Sequence, residues 1–252
     1  MNIVIPQNIY SALFALVLPD ELKKNVVIRE SSLTTKEINE GKFDVGLIPS
    51  CDLLSHQELY VSKKYAISFD GPLSNTYLYF VPEQHDFKNV LLRGDISSND
   101  LILSKILFSE HYGIEAEFSI DTNLIDLENN NYLISGMENN EYLIAKNGIS
   151  FSDQFADLID FPYVNYVLAA KDKDKLEEFT SELGNIDEKI TSQLDDFLPK
   201  LGIDNKLQSL IKENDKAIYF DLTDNEIEGL NEQLKLPYYH GIIEEIVEVN
   251  FV

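Results

Sequence analysis

Three short strand-like runs, Ile3 to Ile5, Asn25 to Arg29 with an apolar centre, and the nearly all apolar Phe43 to Pro49, open this chain, and segments of helical length separate them. A strand with one face in water alternates apolar and polar residues; a run that does not alternate is covered on both faces. Asn8 to Leu18 reads as helical and is stopped by Pro19. Ser31/Ser32 to Glu40 offers hydroxyl caps and closes on Gly41. Buried strands joined by helices indicate an α/β chain with a parallel sheet.

The pattern changes further along. Tyr65 to Phe69 and Thr76 to Val81 flank Gly71-Pro72 and read as a hairpin. A second strand-helix set follows: Asn89 to Leu92, then a helix over Ser97 to His111 behind the polar cap Ser97-Ser98-Asn99-Asp100. Glu115 to Ile120, Tyr132 to Ile134 and Tyr142 to Ala145 are candidate strands. Phe161 to Leu168 is again apolar, and beyond Lys171 the chain becomes helical. Thr223-Asp224-Asn225-Glu226 is a capping box opening a last helix toward His240 and Gly241. The organisation expected is two α/β lobes, residues 1–82 plus 163–252 forming the first and residues 83–162 inserted as the second. The crossings would fall near Val81 to His85 and Asp160 to Pro162.

Charge narrows the function. With 44 Asp and Glu against 20 Lys and Arg, the formal net charge is −24, which argues against a nucleic-acid partner or an anionic membrane surface. Hydrophobic residues at 44% are enough for a sizeable core, and the single cysteine, Cys51, excludes an intrachain disulfide framework. Cys51 itself reads as buried filler. The N-terminus has no cationic segment ahead of an apolar one, so cytoplasmic residence is expected, with no membrane span. His56, His85, His111 and His240 lack ligand spacing, and no nucleotide-binding or hydrolase motif is present. No metal or cofactor is expected.

The string INEGKFDVGLIPS at Ile38 to Ser50 resembles a signature of the menaquinone-biosynthesis (futalosine pathway) family that includes chorismate dehydratase. Ile67 to Phe80, Phe155 to Lys171 and Leu222 to Ile243 resemble further stretches of that family, in the same order. The resemblance implies a two-lobed type II periplasmic-binding-protein-like fold with two crossover strands. It also implies a carbon-oxygen lyase that converts chorismate to 3-[(1-carboxyvinyl)oxy]benzoate without a cofactor, its partner being a small anionic, chorismate-like metabolite. The alternative in the same fold is a non-catalytic solute-binding protein for a small organic anion.

Site residues follow from that resemblance. Asn8, Ser74 and Asn75 would take the catalytic positions. Asn8 can orient a carboxylate or enol ether through its amide, and reads equally as the cap of the helix that follows. Ser74 and Asn75 both stay in view, because a slip of one residue reverses which side chain faces inward. Ser97, Ser98 and Asn99 would bind substrate at a helix N-terminus, where backbone N–H groups favour anions. There the chain departs from the family's Ser-Arg-Thr-Ser run, with Ser98 for the Arg and Asp100 for the last Ser. Lys146 and Asn147, after an expected strand, complete the binding set, and Arg93 could supply positive charge from the end of its own strand. Only Arg29 and Arg93 are arginines, so bidentate clamps for carboxylates are few. No general base is evident; the substrate's own carboxylate could serve. Because the global field repels anions, capture must be local, and an acidic cleft would defeat the anionic-substrate reading.

Overall fold

The computed structural model describes residues 1–84, 87–146 and 148–252, with residues 143–146 described by backbone alone. Its strands are β1 (Ile3–Pro6), β2 (Val26–Arg29), β3 (Val45–Pro49), β4 (Tyr60–Phe69), β5 (Thr76–Tyr79), β6 (Asn89–Gly94), β7 (Glu117–Ile120), β8 (Asn131–Ser135), β9 (Ile149–Ser150), β10 (Tyr163–Ala170) and β11 (Ile218–Asp221). The helices of the first half are α1 (Ile9–Leu16), α2 (Asp20–Lys23), α3 (Ser31–Asn39) and α4 (Ser98–Glu110). Then come α5 (Asn139–Lys146), α6 (Phe151–Ile159), α7 (Lys173–Ser181), α8 (Ile186–Phe197), α9 (Asn205–Glu213) and α10 (Asp224–Tyr239).

Two sheets result. One runs β11-β4-β10-β3-β1-β2 and the other β7-β6-β8-β5-β9. β1 pairs in parallel with β2 and β3, and β6 with β7 and β8, as expected of strands joined by helices. β2, though, is an edge strand whose Ile28 and Arg29 are exposed, so the Asn25 to Arg29 run is not covered on both faces. β10 is antiparallel to both β3 and β4, so each sheet is mixed. Every residue of β1, β3, β5, β8 and β10 is buried. The second lobe's core gathers Leu78, Leu92 and Leu133 from its sheet with Leu103, Leu107 and Phe108 from α4.

Three expectations change. Tyr65 to Phe69 and Thr76 to Val81 do not form a hairpin: β4 lies between β10 and β11, and β5 between β8 and β9. Both segments are apolar on both faces, so each takes a central place in its own sheet rather than pairing with the other. The chain therefore leaves the first sheet between Phe69 and Thr76, ahead of the expected crossing near Val81 to His85; His85 lies outside the described residues. It is back in the first sheet at Tyr163, having left the second at Ser150. Finally, Tyr142 to Ala145 belongs to α5 and not to a strand. Four apolar residues fit either state, and Asn139 settles it by tying the start of the helix to the sheet. Its Nδ2 donates to the Asn75 carbonyl at 3.1 Å and its Oδ1 accepts from the Tyr79 hydroxyl at 3.1 Å.

Candidate functional site

Parallel strands deliver their C-terminal ends, and the helices that follow, to one side of a sheet, and ligands of open α/β folds bind there. Here β1 and β2 of one lobe and β6 and β7 of the other point such ends toward a shared cavity of about 620 Å³. Gln7, Glu30, Arg93, Asp95, Asp121 and Glu138 bound it. Four of those side chains are carboxylates and one is a guanidinium. Arg93 is already engaged: its Nε donates to Glu138 Oε1 at 2.8 Å, a second nitrogen lies 3.7 Å from Asp121 Oδ2, and it also donates to the carbonyls of Asp121 and Asn123. The lining is acidic.

Behind it, a buried polar chain crosses from lobe to lobe. Asp95 accepts from the Ser31 backbone N–H at 2.8 Å and from the Ser31 hydroxyl at 2.6 Å. Ser31 Oγ lies 2.9 Å from the Tyr166 hydroxyl, which accepts from Asn75 Nδ2 at 3.2 Å. Since Ser31 donates to a carboxylate, Tyr166 must donate to Ser31, so the donors run Asn75 to Tyr166 to Ser31 to Asp95. Burial, helped by Asp95 and Asp100, pushes the Tyr166 phenol well above its ordinary value and keeps it a donor. Asn75 also donates to Ser135 Oγ at 3.1 Å; Ser135 in turn lies 2.9 Å from Thr76 Oγ1, and Thr76 donates to Asp100 Oδ1 at 2.6 Å. Burial raises the carboxyl groups of Asp95 and Asp100 above the usual range, against the pull of these donors. Asp95 is the member of this chain that reaches the cavity, and it offers an acceptor to whatever is bound there.

The residues expected to form the site are placed unequally. Asn8 caps α1, its Oδ1 accepting from Ser11 N–H at 2.8 Å. Its Nδ2 sits beside Tyr166, buried and without a hydrogen bond. Asn8 and Asn75 thus converge on Tyr166, one layer behind the cavity. Ser74 faces elsewhere: its Oγ is 2.7 Å from Ser152 Oγ and accepts from the N–H of Ser152 and Thr76, pinning the lobe connection to α6. Ser97 and Asp100 form a complete capping box on α4, with Asp100 Oδ2 accepting from Ser97 N–H and Oγ, each at 2.7 Å. Asn99 is a tie between lobes on the far side of β10. It donates to the Asn165 carbonyl at 2.6 Å and accepts from Cys51 N–H at 2.8 Å. Ser98 lies beside Asp52. Lys146 ends α5 rather than a strand, and Asn147 lies outside the described residues. Arg93 does reach the cavity, though with its charge spent.

Sequence reasoning missed Ser31, Tyr166 and Asp95 as site residues. Ser31 reads as a cap and Tyr166 as strand filling. The Gly94-Asp95 pair directly after a strand was the available signal for the third.

Two lobes, two mixed sheets and a chain that leaves the first lobe and returns to it define a two-lobed α/β, type II periplasmic-binding-protein-like fold. No family model matches the sequence, and no curated protein sequence matches it. Solved structures do. Protein AF1704 from Archaeoglobus fulgidus superposes with a TM-score of 0.71 at 14% identity, over 96% of this chain and 98% of that one. The periplasmic aliphatic sulphonate binding protein SsuA from Escherichia coli gives 0.66 at 13% identity, over 99% and 90%. A putative nitrate transport protein from Thermoplasma volcanium gives 0.56 at 13%, over 100% and 96%. Identities this low establish the fold and leave the ligand open.

Proposed function

We propose that this protein captures a small metabolite between its two lobes. The observation that carries the reading is the cavity of about 620 Å³ bounded by strand ends from both lobes, the place where this architecture presents its donors and acceptors. Thermal-shift screening with polar metabolites, repeated on Thr122→Trp to fill the cavity rim, tests it. Hits should lose their shift in the variant; hits that survive the substitution place the ligand elsewhere and defeat the reading.

The resemblance of Ile38 to Ser50 favours a second reading, a cytoplasmic chorismate dehydratase-like lyase. Elimination of water needs a proton acceptor, and Asp95 is a carboxylate at the cavity wall with its carboxyl group raised by burial. The lining weighs the other way, since four carboxylates around one paired guanidinium repel a dianion. Incubation with chorismate, followed by mass, separates the two: loss of water at high enzyme concentration supports the lyase, and an unchanged substrate removes it. Among the described residues no helix is long and apolar enough to cross a membrane; residence in the cytoplasm is part of this second reading and is checked by fractionating cells that express the full gene.

A further inference from the structure

Helix α3 begins at the cavity without a side-chain cap of its own. Glu30, at its N-cap position, makes no capping hydrogen bond. The acceptor comes from the opposite lobe: Asp95 takes the Ser31 N–H at 2.8 Å and the Ser31 hydroxyl at 2.6 Å, one carboxylate oxygen to each. This is the way a helix N-terminus holds an anion. At α4, whose N-terminus also lies in this region, Asp100 accepts from the N-cap residue, through Ser97 N–H and Oγ. These two N-termini hold carboxylates that the chain itself supplies, whereas α1 is capped by the neutral Asn8 amide.

We propose that Asp95 is a resident ligand of the α3 N-terminus and a specificity-determining residue of the cleft. By docking on Ser31 it draws the lobes together in the empty protein, and by occupying those donors with a negative charge it makes the cleft refuse anions. The proposal rests on the cleft being the ligand site. Glu30 and Asp121 add to the refusal, while Arg93 and Glu138 neutralise each other as an ion pair. A ligand that enters must bring hydrogen-bond donors, neutral or positively charged, to Asp95.

The latch is read without any ligand. Ile28 and Ile120, on the edge strands β2 and β7 of opposite lobes, are 54% and 75% exposed, whereas Cys51 is buried and escapes labelling. Dye pairs on Ile28→Cys and Ile120→Cys report the distance across the cleft. Asp95→Ala and Ser31→Ala, each added to that pair, should both shift the distance distribution to longer values. An unchanged distribution in both overturns the latch, whatever the cleft binds. Refusal is read by calorimetry with methanesulfonate. Asp95→Asn keeps one acceptor for Ser31 and removes the charge, so it should gain tenfold or more in affinity over the wild type, about 1.4 kcal/mol. Ser31→Ala, which leaves the charge in place, should gain nothing. Equal affinity for methanesulfonate in the wild type and Asp95→Asn overturns the specificity role, and a thermal melt of each variant checks that it is folded.

Discussion

At the scale of single residues, the buried amides divide into those that hold the lobes and those that lie behind the candidate site. Asn99 is fully buried and uses both ends of its amide, donating to Asn165 Oδ1 at 2.9 Å and accepting from the Ser50 hydroxyl at 3.2 Å as well as from Cys51. Asn99→Ala strands these buried partners, so a loss of roughly 3 kcal/mol and a fall in Tm of about 6–12 °C are expected by calorimetry. Asn8 differs, because one half of its amide caps α1 and the other is unspent. Asn8→Ala should cost about 1 kcal/mol, the loss of one cap, in a denaturant titration. Asn8→Ser, which keeps a capping oxygen without burying a charge, should restore most of it. Cys51 is buried, and burial together with Asp52 and Asp100 pushes its thiol well up against the pull of Gln233 and Ser50, the opposite of what activates a thiolate.

At the scale of elements, two joints decide how the lobes present their strand ends. β6 ends on Gly94 at φ +81°, where a Cβ would lie 2.0 Å from the Ser135 carbonyl of β8. Gly94→Ala must either strain that left-handed turn or part the two strands. We expect it to destabilise by roughly 3 kcal/mol or more in chemical denaturation and to displace Asp95, the next residue. The second joint ties α8 to β11: Asp187 accepts from Phe220 N–H at 2.7 Å and Asp221 N–H at 3.2 Å, while Asp221 accepts from Asp187 N–H at 2.8 Å. Burial pushes the Asp187 carboxyl up to about 6, against an unfolded value near 3.9. Between those values the folded protein binds more protons than the unfolded one, so stability falls as pH rises from about 4 to about 6. Because Asp187 is partly exposed, the loss is on the order of 1 kcal/mol after screening. Asp187→Asn should flatten that part of the stability profile, and an unaltered slope would refute the assignment.

For the whole molecule, a formal charge of −24 means that folding concentrates like charges. Raising NaCl from about 10 mM to about 300 mM shortens the screening length several-fold, so Tm at pH 7 should rise by several degrees, and a flat or falling Tm would show that local ion pairs dominate. Much of the fold was legible in the sequence for a local reason. Ile3 to Ile5 and Val45 to Ile48 advertise burial on both faces, and Ser97 with Asp100, like Thr223 with Glu226, writes a helix start into four residues. The pairing of β4 and β5 was not legible, because an apolar strand demands neighbours without naming them. The site was half legible: Asn8 and Asn75 do converge, but on Tyr166, about 90 residues further along from Asn75, while Ser74 turned to Ser152. By itself, the sequence determined the class of elements, their order and the acidic field, all properties of composition and short-range spacing. Only the tertiary structure decided that the Asp95 carboxylate sits on the Ser31 end of α3. That contact joins residues 64 positions apart and exists only when the two lobes meet.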